Sequence, residues 1–398
     1  MQQYKSYFAT MNDSIKRNHF WPRVLGVFLL ILISTMIAIW ITGYSFIYKT
    51  LIYTYPDIDD INLFDTRTVT DSAGVPWMLS SSYNKNKIPL TTKAALETNE
   101  SVAYLVIKND SIVHEEYWDH ASANTLDNSF SVAKSIVSIL AGIAIDQGYF
   151  SLDDSVGKYL PEFSEGNNGK LKVKHLLQMS SGLNWDESYS SLFSKTTEAY
   201  YGENLTRQVL KLKVVKEPGT VFEYMSCNTV LVALIINKTT GKTISDFASE
   251  KLWIPIHATQ PAYWSLDHTD GIEKSYCCFY SCARDFAKIG KLVLDSGKWD
   301  GKQIVSQEYI KTMLTPNMIT DAFGAQTDYY GLQWWMTNYK GHQVYYARGI
   351  LGQYVAVVPD EKTIVVRLGH KRGQKAGNHY EDLFQYLDGA LEIGKPLN

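Results

Sequence analysis

Ser131-Val-Ala-Lys-Ser-Ile-Val-Ser-Ile-Leu-Ala-Gly-Ile-Ala-Ile-Asp-Gln147 is the stretch from which the rest of the chain is read. Ile136, Val137, Ile139, Leu140, Ile143, Ala144 and Ile145 leave it apolar on nearly all sides. A helix of that composition is a buried one, and Gly148 is a natural stop. Its head carries the spacing Ser-x-x-Lys. Residues three apart share a helix face, so the Lys134 amine can reach the Ser131 hydroxyl. A Ser at a helix N-terminus also lies beside free backbone N–H groups, which favour an oxyanion. Burial lowers an amine from its usual pKa of about 10.4 and readies it to take the Ser proton. Spacing alone also fits a helix cap followed by a solvated lysine. The chain holds two more matches, Ser82-Tyr-Asn-Lys85 in a polar stretch and Ser155-Val-Gly-Lys158 with a glycine inside. Only Ser131 opens a long apolar helix.

Upstream, two β-rich runs at 102–107 and 112–117 flank the turn residues Asn109-Asp110 and predict a hairpin. Downstream, 173–179, 230–240, 244–253 and 283–296 read as helices separated by loops rich in Gly, Ser and Asn. Strands return at 344–347, 354–358 and 363–368, and a helix at 379–391 closes the chain. Strands at both ends with helices between predict an α+β fold. One antiparallel sheet is built from both ends, with a mainly helical region inserted. Residues 49–95 show no sustained periodicity and read as linker and lead-in, ahead of a catalytic body over 96–398.

The chain has 398 residues, 45% apolar and 20% charged, which excludes wholesale disorder and a multi-span membrane protein. A net charge of -3 gives no reason to expect a nucleic-acid partner. The averages conceal an uncharged run at 24–48, long enough to cross a bilayer core of roughly 30 Å. Lys5, Lys16, Arg17 and Arg23 precede it against Asp13, and Asp57, Asp59, Asp60 and Asp65 follow Lys49. The positive side stays cytoplasmic. The expectation is a cytoplasmic N-terminus at 1–23 and a single-pass anchor at 24–48 in the inner (cytoplasmic) membrane. The catalytic part is then periplasmic or extracellular. Trp21 and Tyr44 or Tyr48 are interfacial anchors on this reading.

A second group is Pro218-Gly-Thr-Val-Phe-Glu-Tyr-Met-Ser-Cys-Asn-Thr229. Tyr224 stands at a loop-to-helix junction, where its phenol can face a cleft or pack as an ordinary aromatic. Beside a Lys it can share one mobile proton. Taken with Ser131-Val-Ala-Lys134 and His175-Leu-Leu-Gln-Met-Ser-Ser-Gly-Leu183, this order resembles the serine β-lactamase and penicillin-recognising superfamily. It is closest to the class C-like branch that includes esterases and 6-aminohexanoate-oligomer hydrolases. Ala283-Arg-Asp-Phe-Ala-Lys288, Tyr330-Gly-Leu-Gln-Trp-Trp335 and Gly352-Gln-Tyr-Val-Ala-Val-Val-Pro359 extend the resemblance over about 95–390.

The resemblance implies a β-lactamase/transpeptidase-like fold, with Ser131 as acylated nucleophile, Lys134 as its base partner and Tyr224 as second general acid/base. It implies an oxyanion hole from the backbone N–H groups of Ser131 and Ile350, and neither metal nor organic cofactor. The family's Lys-Thr-Gly or His-Thr-Gly motif falls on Ala347-Arg348-Gly349. The usual cation is therefore absent from the first position. Arg348 points to the other strand face and is either a structural salt-bridge partner or a substrate-facing cation. Ser226 stands where many members have Asn, with Asn228 two further on. Both departures favour an ester or amide substrate over a β-lactam. Ser226, Asn228, Arg348, Gly349, Trp264 and Tyr280 are weaker candidates for substrate contact.

Two alternatives stay open: a β-lactamase or penicillin-binding D-peptidase, and a binding or sensor module without turnover. Cys227, Cys277, Cys278 and Cys282 lack His neighbours at ligand spacing, so no metal is expected. Adjacent Cys277 and Cys278 are not expected to bond to each other. Asp267-His268 reads as surface, Trp334 and Trp335 as core and cleft wall.

Overall fold

The computed structural model describes the backbone of residues 2–393 and the side chains of residues 20–393. Helix α1 (Gln2–Ile41) contains a segment, Phe20–Ile41, that is long and apolar enough to cross a membrane and lies outside the protein core. The helix does not continue to 48. Gly43, at φ +82°, breaks it, and a separate helix α2 (Phe46–Tyr53) begins. Phe46, Ile47 and Thr50 of α2 are buried against the body.

The main sheet has seven strands: β1 (Met78–Leu79), β2 (Ser101–Lys108), β3 (Ser111–Tyr117), β4 (Trp335–Tyr339), β5 (His342–Gly349), β6 (Gln353–Val358) and β7 (Thr363–Gly369). Their order across the sheet is β4-β5-β6-β7-β2-β3-β1, antiparallel except for β1 against β3. The hairpin turn has Asn109 and Asp110 both at positive φ, as a two-residue turn matched to strand twist requires. β7 pairs with β2, Val366 opposite Leu105, so the two ends of the body share one sheet.

The strands read as continuous apolar runs because both faces are covered. On β2, Leu105 and Ile107 enter one core with Phe286, Val355 and Val366. The alternating Tyr104 and Val106 enter another with Leu96, Leu383 and Tyr386. Helices α3 (Leu90–Thr98) and α8 (Glu381–Ile393) cover the second face, and α7 (Ala283–Leu294) covers the first. Between them in sequence lie α4 (Val132–Asp146), α5 (Lys195–Tyr201) and α6 (Ser226–Thr240).

Residues 49–95 are no passive linker. They supply the larger part of α2 and of α3, the edge strand β1 and strand Thr66–Val69 of a second sheet. Each piece is short and has its partners far away in sequence, so no local periodicity marked them. That second sheet joins Thr66–Val69, Ala262–Ser265, Phe279–Ser281 and Asp127–Asn128 in order, and its last strand leads directly into α4.

Candidate active site

The chain turns from Asn128 into α4 through a constrained junction. The Ser129 N–H donates to the Phe279 carbonyl at 2.9 Å, and the Phe130 N–H donates to Asn128 Oδ1 at 2.9 Å. Phe130 is buried at φ +45°, a left-handed conformation that costs a bulky residue about 1–3 kcal/mol. The junction delivers Ser131 to the wall of a cavity of about 620 Å³. One turn later Lys134, 1% exposed, donates from Nζ to Ser131 Oγ at 2.9 Å and to the Tyr276 carbonyl at 2.9 Å. The solvated-lysine alternative is thereby removed. The same Nζ lies 5.1 Å from the centre of the Tyr224 ring and 5.4 Å from that of Tyr276. Burial, reinforced by the Glu187 carboxylate, pushes the Tyr276 hydroxyl well above its ordinary pKa, so it stays protonated.

Tyr224 lines the cavity from the loop that opens α6, with its ring 5.8 Å from that of Trp335. Gly349 closes the end of β5 against the turn that carries Ser131. A Cβ there would meet the Ser129 carbonyl oxygen at 2.4 Å and Phe130 Cβ at 3.1 Å. Only glycine lets these backbones approach so closely. Ile350 then starts a short 3-10 turn, Ile350–Gly352, and lines the cavity beside Ser131. Both residues stand at helix starts, where a backbone N–H has no intrahelical acceptor and is free to bind an oxyanion.

Strand alternation sends Ala347 into the core and Arg348 to the cavity. The Arg348 guanidinium stacks 3.6 Å from the Trp335 ring centre and 4.9 Å from that of Tyr380, and Nη1 donates to the Asn378 carbonyl at 3.0 Å. Arg372 lies 4.3 Å over Tyr380 in the same cavity. Among the described residues the arginine ion pairs are Arg67–Glu273 and Arg284–Glu115, and neither cavity arginine joins one. The salt-bridge reading of Arg348 therefore fails.

Of the weaker candidates, Ser226 lines the cavity. Asn228 does not. It is fully buried, with its amide turned to Met179 Sδ at 3.4 Å, because two residues along α6 is the opposite helix face. Trp264 and Tyr280 also lie in the core, their polar atoms bonded to the Cys277 carbonyl and to Asn128. Asp267, expected at the surface, is buried and accepts from the backbone N–H groups of Leu205, His268 and Ile272. Trp334 is core and Trp335 is cavity wall, as expected.

Cys277 and Cys278 are bonded to each other, against expectation, while Cys227 and Cys282 are free and buried. The left-handed backbone at Cys278, φ +61°, breaks the extended geometry that would send neighbouring side chains to opposite sides. Among the described residues one group of metal-competent side chains comes together, Asp57, Asp59 and His370, and none of the three lines the cavity.

Sequence reasoning missed Glu187. Its carboxylate accepts from Trp185 Nε1 at 2.6 Å, Tyr189 Oη at 2.5 Å, the Ser226 N–H at 2.7 Å and Ser226 Oγ at 2.7 Å. It ties the loop of Tyr189 to the start of α6, beside Tyr224. An acid between two aromatics, Trp185-Asp-Glu-Ser-Tyr189, was the available signal.

The profile of the family described as Beta-lactamase matches residues 93–387. The 6-aminohexanoate-dimer hydrolase of Paenarthrobacter ureafaciens is 26% identical over 291 residues, covering 69% of this chain and 73% of that protein. A Bacillus anthracis structure, provisionally named a 6-aminohexanoate-dimer hydrolase, superposes with a TM-score of 0.73 at 20% identity, covering 86% of this chain and 93% of the other. A family VIII carboxylesterase structure gives a TM-score of 0.61 at 16% identity, over 79% of this chain and 98% of the other. At these identities the two structures speak for the fold.

Proposed function

The chain belongs to the beta-lactamase family, and on that premise we propose a membrane-anchored serine hydrolase that cleaves an ester or amide through an acyl-enzyme on Ser131. The observation that carries this reading is the buried Lys134 amine in hydrogen-bond contact with Ser131 Oγ at the cavity wall. In its neutral form that amine takes the hydroxyl proton while Oγ attacks the carbonyl carbon. The developing oxyanion is held by the Ser131 and Ile350 N–H groups. Tyr224 returns a proton to the leaving oxygen or nitrogen as its bond to carbon breaks. Water, deprotonated by the same pair, then cleaves the acyl–Oγ bond and releases the acid. The anchor reading rests on the apolar segment Phe20–Ile41 and its basic flank.

The test is hydrolysis of p-nitrophenyl butyrate by the full chain in detergent micelles. Ser131→Ala and Lys134→Ala are expected to abolish turnover, and Tyr224→Phe to lose about tenfold to a hundredfold. Wild-type rates in Ser131→Ala would overturn the assignment. A second reading, a β-lactam or D-peptide substrate, is favoured by the unpaired Arg348 and Arg372, which suit a substrate carboxylate. Rapid turnover of a chromogenic cephalosporin would select it.

A further inference from the structure

The cavity that holds Ser131 has a wall built from the segment next to the membrane helix. Thr50 of α2 and Thr54 at its end, followed by Tyr55 and Pro56, line it together with Tyr224 and Trp335. Ser191 and Leu192, ahead of α5, also line it, and α5 packs on α2. Helix α2 is fastened through two neighbouring residues near its middle. The Tyr48 hydroxyl donates back to the Met36 carbonyl of α1, and Lys49 pairs with Glu203 at 2.9 Å.

Helix α2 is apolar on both faces. Phe46 and Ile47 are buried in the body, whereas Leu51 and Ile52 are 60% and 71% exposed. Phe193, next in sequence to the cavity-lining Leu192, is 70% exposed, and Tyr55 is 62% exposed. Trp40, Tyr44, Tyr53 and Tyr55 are exposed along the same stretch, and aromatic side chains with one wet end favour a membrane–water boundary. An apolar rim continuous with a membrane span has a ready cover, the bilayer interface itself.

We propose that the substrate is a membrane-resident amphiphile. Its hydrocarbon chain enters from the bilayer between α2 and the 189–193 loop, and its ester or amide carbonyl reaches Ser131. This rests on the serine-hydrolase and anchor readings above and adds the substrate class. The chemistry is the same acyl transfer: the carbonyl carbon bonds to Oγ, the alcohol or amine leaves with a proton, and water later releases the fatty acid.

The experiment uses the full chain in phosphatidylcholine–phosphatidylglycerol vesicles. A hexadecyl fluorophosphonate with a terminal diazirine is added, allowed to label, and illuminated. Photo-crosslinks are expected in peptides covering 50–56 and 189–193. Crosslinks confined to other peptides would overturn the proposal. In the same vesicles, p-nitrophenyl butyrate and laurate are compared. Each buried methylene is worth up to about fourfold. The laurate-to-butyrate ratio of kcat/KM should therefore fall at least about tenfold when Thr54→Trp and Leu192→Trp fill the entry. An unchanged ratio in variants that still hydrolyse butyrate would overturn it, and comparing two esters on one enzyme cancels substrate partitioning. Absence of any adduct or any ester hydrolysis defeats the hydrolase reading itself. Butyrate hydrolysis without the predicted crosslinks defeats only the substrate class.

Discussion

Gly349→Ala probes the proposed oxyanion hole without altering Ser131, Lys134 or Tyr224. Gly349 has φ -112°, which alanine adopts freely, so the backbone itself is not strained. The added methyl meets the Ser129 carbonyl oxygen at 2.4 Å, against an ordinary carbon–oxygen contact of about 3.3 Å. Gln353 Cβ and Phe130 Cβ, each at 3.1 Å, block sideways escape. Relief therefore needs β5 and the turn that carries Ser131 to part by on the order of 1 Å, and misplacement of that size costs about a hundredfold in rate. Loss of one oxyanion donor costs about 10²–10³ in kcat. The expected result is a fall in kcat of about a hundredfold, with KM changed little. Ester hydrolysis by the full chain in detergent micelles measures it, with Tm followed in parallel. Overpacking should cost only about 1–3 kcal/mol of stability, so the variant remains folded. A folded Gly349→Ala enzyme within twofold of wild-type kcat would refute the assignment of the Ser131 and Ile350 amides.

Three further outcomes follow from the same geometry. Glu187→Gln exchanges a carboxylate acceptor of four hydrogen bonds for a neutral amide, and on the order of 2 kcal/mol of stability should go, read by urea unfolding. Ester turnover should fall with it, since Ser226 and the Tyr224 loop lose their tie. Lys274 is fully buried with no acceptor for its amine, and burial pushes its pKa down to about 7. An unfolded lysine titrates near 10.4, so between about pH 7 and 10.4 the unfolded chain holds the extra proton and stability rises with pH. Below about pH 7 the cost is fully present. Lys274→Met should remove that slope and raise Tm most at or below pH 7, as thermal melts at pH 7 and pH 9 would record. Phe46→Ala should destabilise the body by about 3 kcal/mol, as for a buried core aromatic and unlike a lipid-facing anchor residue, measured by the same unfolding assay.

The parts of this fold that were legible in sequence carry their own period or their own turn chemistry. The α4 helix announced itself by an apolar surface on all sides, and the β2–β3 hairpin by Asn109-Asp110. The β5, β6 and β7 strands did so by unbroken apolar runs covered on both faces. What stayed hidden depends on distant partners. Thr66–Val69 is a strand only because Ala262–Ser265 lies beside it. Trp335–Tyr339, with polar residues at its end, was likewise invisible until paired with β5. Ser131, Tyr224, Gly349 and Ile350 come to one cavity because each sits at an element boundary with a recognisable signature, and Lys134 reaches Ser131 from the first turn of α4. Asn228 misses the cavity because it stands two residues along α6 from Ser226, on the opposite helix face. Glu187, Arg372 and the α2 wall sit in loops and lead-in segments, where nothing local announces which cavity a side chain will face.

Covalent labelling tests the central claim most directly. The full chain is treated with a fluorophosphonate, and the modified peptide is identified by mass spectrometry. One adduct per chain is expected, on the peptide containing Ser131, lost in Ser131→Ala and abolished or greatly slowed in Lys134→Ala. An adduct on any other residue, or none from an enzyme that still hydrolyses esters, would contradict the account.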